Sequence, residues 1–291
     1  MKLLIAVDSA SSTEVLVAAV GVRPWPKGTS AHVLSVVADT DVPMEVWREF
    51  GYGKDAVRRE MEGRGKEITS LALERLKEVG IPAEVLVTRG DPRFLIPFFA
   101  RKWSTDLILV RAHVRKDFEH WMLGSVARAV VTSAPCTVQI VRDQTNDHAL
   151  TLDTARRVLF ATDGSETSLA AAQAIADRPW PEQSEFRIVT VEEPWLIKPT
   201  SAILNVNSAE EVLTSAGLKA TAAVVHSGNP KEVILEEAKK WNADLIVVGS
   251  HGRRGFKRFL LGSVSEAVAM NAHCSVVVVR NPARSSRKAR G

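Results

Sequence analysis

Cysteine is nearly absent from this chain, which has two in 291 residues, Cys136 and Cys274. They form no C-x-x-C pair, and no cysteine or histidine spacing typical of a zinc site occurs, so we predict no metal site. A chain that also lacks a recognisable export signal is expected to keep isolated cysteines reduced. We therefore predict two buried thiols rather than a disulfide.

Long apolar runs are also missing. No stretch approaches the roughly 18 residues that a membrane-spanning helix needs. The N-terminal sequence MKLLIAVDSA turns acidic at Asp8 and has neither the long apolar core nor the cleavage site of a signal peptide. These absences predict a cytoplasmic protein with no membrane partner.

A basic surface is absent from the body of the chain. The net charge is +4, and the last ten residues carry four basic side chains and no acid: Arg284, Arg287, Lys288 and Arg290. Without this tail the charges balance, which argues against nucleic acid as a partner. We expect residues 282–291 to be a disordered, basic tail.

The common catalytic signatures are missing as well. The sequence has no Walker A motif, no G-x-G-x-x-G, no G-x-S-x-G elbow and no H-E-x-x-H pair. We therefore nominate no catalytic residue. Slow ATP hydrolysis and self-phosphorylation stay open.

What the sequence does contain is a repeat. RPWP occurs at 23–26 and again at 178–181, an offset that also aligns Asp8 with Asp163. Further on, DLILVRAHVRKDFEHWMLGSV (106–126) aligns with DLIVVGSHGRRGFKRFLLGSV (244–264). Repeats of this length indicate a duplicated domain. We predict domains at 1–142 and 156–281, joined by a polar linker at 143–155.

Each copy alternates strand and helix patterns. The strands are short, continuous apolar runs, as in buried parallel sheets. This predicts an α/β fold of two tandem, doubly wound open sheets, each with about five parallel strands and helices on both faces. Between its second and third strands the first copy has a long helical pattern at 58–80. In the second copy only 208–217 has a helical pattern, so we predict a truncated helix there.

One segment of the second copy is rich in glycine. GSHGRRGFKRFLLGS (249–263) follows the apolar strand DLIVV and precedes a helical pattern. Open α/β sheets bind ligands at the carboxyl ends of their strands, and a helix N-terminus attracts phosphate. Glycine allows close approach of the backbone. The segment therefore predicts a phosphate cradle, with a glycine-rich turn of purely structural purpose as the alternative.

The spacing G-x2-G-x9-G-[ST] resembles the nucleotide motif of the universal stress protein family. The Asp-Gly-Ser at 163–165, the Gly-x-Pro at 228–230 and the last strand are also similar to that family. The resemblance spans nearly the whole chain, twice, and indicates a tandem member. It implies a bound adenine nucleotide (ATP, ADP or AMP, with Mg²⁺ accompanying ATP).

The resemblance also implies a set of binding residues in the second copy. The end of the first strand lies beside adenine and ribose, the end of the second strand meets the adenine, and the glycine segment holds ribose and phosphates. These positions are Ala161, Thr162, Asp163, Val191, Gly249, Gly252, Arg253, Gly262, Ser263 and Val264. For Asp163 one alternative stays open, because a carboxylate there could simply cap the following helix.

The first copy departs from the motif. Arg111 and Val114 replace the first two glycines, and Asp117 and Glu119 add negative charge, so we predict a degenerate site. Its weaker candidate residues are Asp8, Arg111, Gly124 and Ser125. Arg111 as a direct phosphate ligand stays open.

Three functions remain. The first is an ATP-binding regulatory module of the stress response with an unknown protein partner. The second is an enzyme of the nucleotide-binding α/β group, and the third is an interaction module that binds no nucleotide.

The resemblance implies pairing of domains through their last strands. We expect the two halves to form an internal pseudo-dimer, and a homodimer of chains stays open.

Overall fold

The computed structural model describes residues 1–38, 54–112, 123–142, 156–192, 199–252 and 261–280. Ten strands lie in these ranges: β1 (Lys2–Val7), β2 (Ser30–Val37), β3 (Ala83–Arg89), β4 (Leu107–Arg111), β5 (Thr137–Val141), β6 (Arg157–Ala161), β7 (Glu185–Glu192), β8 (Lys219–Ser227), β9 (Leu245–Gly249) and β10 (Ser275–Val279). The helices described are α1 (Ala10–Gly21), α2 (Lys54–Glu78), α3 (Pro92–Lys102), α4 (Ser125–Ser133), α5 (Glu166–Ala176), α6 (Pro199–Ser215), α7 (Pro230–Lys240) and α8 (Ser263–Asn271).

The strands form one sheet in the order β3-β2-β1-β4-β5-β10-β9-β6-β7-β8. Within each half all neighbours are parallel, which confirms the α/β fold predicted from the sequence. The halves join through their last strands, β5 and β10, which pair antiparallel with Gln139 opposite Val277. These two residues hold matching positions in the repeat, so the pseudo-twofold axis passes between them. The internal pairing expected from the resemblance is therefore present.

Helices cover both faces of the sheet, which is why its central strands are apolar on both sides. On the face covered by α3, α4, α7 and α8, one apolar core runs through both halves. On the opposite face there are two separate cores, one under α1 and α2 and the other under α5 and α6.

The repeated RPWP motif ends a helix in both halves. Trp25 Nε1 donates to the carbonyl of Val20 at 2.8 Å, and Trp180 Nε1 donates to that of Ile175 at 2.9 Å. Each indole therefore satisfies a carbonyl of the last helical turns, which has no partner inside the helix. The motif recurs because both copies need the same helix end.

Two arginines fasten the halves to each other. Arg142 Nη2 donates to the carbonyl of Ala269 at 2.8 Å, near the end of α8 in the opposite half. Arg280, its repeat equivalent, donates to Val131 and Thr132 near the end of α4, at 2.8 and 2.7 Å. Burial lowers the pKa of Arg142 to about 10. Both guanidinium groups stabilise a helix C-terminus of the other half.

Two sequence expectations need correction. Helix α6 begins at Pro199, so it is not truncated to 208–217. Its buried positions Ala202, Val206, Ala209 and Leu213 have helical spacing, but two are alanines and hide the pattern among polar neighbours. Both cysteines are free thiols, as predicted. Cys274 is buried, but Cys136 is only half-buried. The predicted linker (143–155) and the predicted tail (282–291) lie outside the described residues.

Candidate functional site

The loop after β6 makes a tight turn into α5. Asp163 Oδ1 accepts the N–H of Ser165 at 3.0 Å, and Gly164 takes φ 72°, which only glycine adopts easily. Ser165 is the N-cap of α5, since its side chain accepts the N–H of Ser168 at 3.3 Å. Helix capping therefore belongs to Ser165, and the hypothesis that Asp163 caps α5 is wrong.

Asp163 is also held from a second element. Asn205 Nδ2 of α6 donates to the Asp163 carbonyl at 3.1 Å. Neither Gly164 nor Asn205 was among the residues nominated from the sequence. The Asp-Gly-Ser tripeptide signalled the glycine, but no sequence feature placed the first half of α6 beside this loop.

The candidate residues around Asp163 are of two kinds, one hydrogen-bonded and the others apolar. Thr162 is buried, and its hydroxyl donates to Ser168 Oγ at 3.1 Å and accepts the N–H of Gly164 at 3.2 Å. It therefore holds the turn. Ala161 and Val191 join Leu261 at the end of the continuous core, where they are 9%, 8% and 8% exposed. We call these three the apolar edge, because Ala161 and Val191 lie near the carboxyl ends of the neighbouring strands β6 and β7 and Leu261 comes just before α8.

Gly249 is required by packing inside the protein. A Cβ built at this residue would lie 2.9 Å from the Ser168 nitrogen and 2.9 Å from the carbonyl carbon of Thr167. These are backbone atoms of the first turn of α5, which cannot move alone. Gly249 therefore makes room for α5, and its expected part in holding a phosphate stays a prediction.

Gly252 and His251 connect the glycine segment to the β6 loop. A Cβ at Gly252 would lie 2.7 Å from Asp163 Oδ2, so the carboxylate packs directly against this glycine. The His251 carbonyl accepts the hydroxyls of Ser165, at 3.3 Å, and Thr167. The start of the glycine segment therefore contacts the loop that follows β6.

Gly262 is the N-cap of α8, and no side chain among the described residues caps this helix. Its own N–H donates to the Ser250 carbonyl at 2.8 Å, so it is not available to a phosphate, contrary to our expectation. The first helical bond runs from Glu266 N to Gly262 O. The N–H groups of Ser263, Val264 and Ser265 precede that bond and have no helical carbonyl to bind.

Arg253 lies outside the described residues, as do Val114, Asp117 and Glu119 of the first half. The remaining candidates of the second half lie near the carboxyl ends of β6, β7 and β9, in the loops just after β6 and β9, or at the start of α8. The fold thus brings Asp163, Gly252 and the N-terminus of α8 to one edge of the sheet.

The matching edge of the first half is built differently. Ser9 is the N-cap of α1, one repeat position earlier than Ser165 in α5. Arg111 replaces Gly249, and its Nη1 donates to Ser11 Oγ, in the first turn of α1, at 2.9 Å. Gly124 is the N-cap of α4 and Ser125 follows it, again without a side-chain cap. Asp8 accepts the Ser9 hydroxyl at 3.1 Å.

Two features are absent from the described ranges. These ranges contain no group of three or more histidine, cysteine or acidic side chains placed to hold a metal ion. None of the described helices combines the length and apolar character needed to cross a membrane.

Comparison with known proteins gives consistent matches. The model of the universal stress protein family matches residues 1–142 and again 154–280. A universal stress protein of Methanocaldococcus jannaschii is 34% identical over 143 residues, which are 44% of this chain and 83% of that protein. A universal stress protein A homolog of Coxiella burnetii is 46% identical over 70 residues, 24% of this chain and 47% of that protein.

Solved structures match as well. A universal stress protein from Archaeoglobus fulgidus has a TM-score of 0.70 at 24% identity, and the match covers 96% of each chain, which shows a common fold over both halves. A universal stress protein solved in complex with cAMP is 30% identical over 44% of this chain and 98% of that chain, with a TM-score of 0.36.

Proposed function

The chain belongs to the universal stress protein family, and we propose that its second half binds ATP and serves as a nucleotide-responsive regulatory module. The first half then acts as the structural partner of the second. The proposal gives the glycine segment, Asp163 and α8 one common ligand.

One observation carries the proposal. The uncapped N-terminus of α8, the Gly252 backbone and the Asp163 carboxylate lie at the carboxyl ends of adjacent strands, β6 and β9. Free N–H groups and the helix dipole favour a phosphate at α8. A carboxylate at the end of the first strand suits a ribose hydroxyl, which can donate to it.

The apolar edge supports the same orientation. Ala161, Val191 and Leu261 keep a small exposed surface at the end of a buried core. An adenine ring could pack there with its flat faces against aliphatic groups, while its phosphates extend towards Ser263. A site of this kind combines apolar lining with a few polar groups, as small-molecule sites usually do.

The first half lacks this arrangement, because the Arg111 side chain reaches the start of α1. We propose that this guanidinium stands where a nucleotide would approach, so that the chain binds one nucleotide rather than two. Gly124 and Ser125 retain an uncapped helix start, which makes the first half a matched internal control.

The first test is the nucleotide content of freshly purified protein, released by denaturation and separated by chromatography. Calorimetric titration with ATP, ADP, AMP and cAMP then defines the ligand, since these share adenosine and differ in phosphate. We expect one ATP per chain. Two equal sites, or none, would contradict the proposal.

The second test compares Gly262→Asp with Gly124→Asp. An aspartate at the α8 N-cap would accept the N–H groups that a phosphate needs and would repel it. Losing two phosphate–amide bonds of about 1.5–3 kcal/mol each weakens ATP binding at least about a hundredfold. Gly124→Asp should leave ATP affinity unchanged. A larger loss from Gly124→Asp would assign the working site to the first half.

A further inference from the structure

A polar seam separates the two cores on the face covered by α1 and α5. Both cores reach the β5–β10 pair, yet Gln139, which faces this side at the pseudo-twofold axis, is polar and 6% exposed. The RPWP segments that follow α1 and α5 bring their arginines, Arg23 and Arg178, to this seam from opposite halves. A third arginine, Arg156, precedes β6.

Arg23 is one of two buried members of the cluster, and Arg156 is equally exposed at 8%. Arg23 is 8% exposed, and its Nη2 donates to the neutral amide of Gln139, at 2.9 Å from Oε1. Its guanidinium lies 4.0 Å from the centre of the Trp25 ring. Its Nε is buried and has no hydrogen-bond partner. Within the part of the chain that the structure describes, the positive charge of Arg23 is therefore met by a neutral amide and an aromatic ring.

The other two arginines lie close to Arg23. Arg156 Nη2 is 3.4 Å from the carbonyl oxygen of Val22, the residue before Arg23. Burial lowers the pKa of Arg23 well below its usual range, and repulsion by Arg178 and Arg156 lowers it further. Burial also lowers the pKa values of Arg156 and Arg178. Three cations thus share one partly desolvated region.

Three carboxylates of the described residues attract the cluster without forming an ion pair with it. Asp106 and Asp177 raise the pKa of Arg178, and Asp244 raises that of Arg156, so all three exert some attraction. Asp106 accepts the Lys2 N–H at 2.7 Å, Asp177 accepts the Gln173 amide at 2.6 Å, and Asp244 accepts the Arg157 N–H at 2.8 Å. Across the described ranges, no ion pair includes Arg23, Arg156 or Arg178.

An uncompensated cluster of this kind is costly. Removing charges from water without a counter-charge costs several kcal/mol each, and arginine cannot escape by losing its proton. Helix C-termini at α1 and α5 offset part of this cost through their partial negative charge. A groove of about 720 Å³ opens beside Arg23, and Trp25, Lys27 and Glu78 also line it, whereas Arg156 and Arg178 lie outside its lining. Glu78 forms an ion pair with Arg75.

We propose that Arg23, Arg156 and Arg178, hereafter the seam site, bind a phosphate-class oxyanion between the two halves. The guanidinium group matches the geometry of phosphate oxygens, and several such groups bind one anion with charge-assisted hydrogen bonds. This site is separate from the nucleotide site and does not depend on it. Its ligand would stabilise the contact between the halves.

The test is calorimetry and thermal unfolding of the full chain in inorganic phosphate, pyrophosphate or sulfate, with chloride at equal ionic strength as reference. We expect saturable phosphate binding and a higher Tm, because a ligand of the native state stabilises it. Arg178→Gln should weaken phosphate binding at least about tenfold. The same substitution relieves repulsion, so in chloride its Tm should equal or exceed that of the parent.

Further variants keep the test decisive. Arg156→Gln gives an independent loss of binding in case Arg178→Gln disturbs the fold, which circular dichroism would show. Gly262→Asp should retain phosphate binding at the seam site even where ATP binding is lost. Binding that Gly262→Asp abolishes and Arg178→Gln leaves intact would overturn the seam site and place the phosphate at α8.

Two more outcomes would overturn the proposal. One is the absence of phosphate binding at millimolar concentration. The other is phosphate binding that appears only after Asp143, Asp147 and Asp153 are replaced by asparagine, because the chain's own carboxylates would then be the natural counter-charge.

Discussion

Arg128 of α4 and Glu266 of α8 hold the same position in the two copies of the repeat, and they form an ion pair across the pseudo-twofold axis, with 2.9 Å between Nη2 and Oε1. If either half paired with a copy of itself, this position would bring two arginines or two glutamates together. The pair therefore favours the association of unlike halves. It is a difference between the copies that only the internal pairing explains.

Charge reversal tests this pairing. Arg128→Glu or Glu266→Arg alone should lower the free energy of unfolding by about 0.5 kcal/mol, the usual size for exposed pairs. The side chains are 54% and 34% exposed, so a larger effect is not expected. The double variant should recover the parent's stability in urea unfolding. If the double variant lost the sum of the two single effects, the pair would contribute nothing to specificity.

Gly249→Ala should destabilise the second half without any nucleotide present. Its Cβ would overlap the backbone of Thr167 and Ser168, and overpacking of this kind costs about 1–3 kcal/mol. Gly63→Ala is the control, since Gly63 lies within α2 and nothing surrounds its added Cβ. That change should raise stability by about 0.5–1 kcal/mol. Equal effects of the two variants in chemical denaturation would refute the packing role of Gly249.

The thiols should respond slowly to alkylation at pH 8. Burial raises the pKa of Cys136 and of Cys274 to about 12 each, so little thiolate forms in the folded protein. Between pH 9 and 12 the unfolded state releases thiol protons that the folded state keeps. Stability is therefore complete below pH 9 and declines through this window. Cys274→Ala should weaken the decline. Rapid labelling without denaturant would contradict the expectation.

Helices α3 and α7 differ on their outer faces. Phe94 and Phe98 of α3 are 71% and 53% exposed, while Glu232 and Glu236 hold the matching positions in α7. The double change Phe94→Glu, Phe98→Glu copies the second half and should alter stability by less than about 0.5 kcal/mol. Solubility should improve because exposed aromatic surface is removed. A clearly larger loss in the free energy of unfolding would show that other protein surface covers these rings in solution.

The α/β architecture was predictable because it depends on local patterns. Short apolar strands alternate with helices, and the RPWP repeat divides the chain into two equivalent copies. Apolar periodicity reports burial directly, so it indicates which runs are buried strands and which are helices. The pattern failed at α6, where alanines at buried positions carry too little hydrophobic signal.

The position of the candidate site on the sheet could be predicted from the sequence, but the atomic contacts of its residues could not. The glycine spacing predicted that the motif joins the end of β9 to the start of α8, and the structure has β9 and α8 at these positions. Sequence could not tell what each glycine must avoid: Gly249 avoids the α5 backbone, and Gly262 approaches Ser250. Such contacts join residues far apart in the chain, and a sequence pattern does not contain their distances.

By itself, then, the sequence determined the duplication, the α/β class and the edge of the sheet where the motif lies, because these follow from periodicity and repeated motifs. Only the tertiary structure decided that Arg142 and Arg280 each donate to a helix C-terminus of the other half and that Arg111 reaches α1. It also decided that the three arginines of the seam site lie near one another between the halves. The contacts between the halves depend on which surfaces the antiparallel β5–β10 pairing brings together, and the Arg111 contact depends on how α1 packs within the first half. Hydrogen bonds and charges act over a few ångströms in space, whatever the separation along the chain.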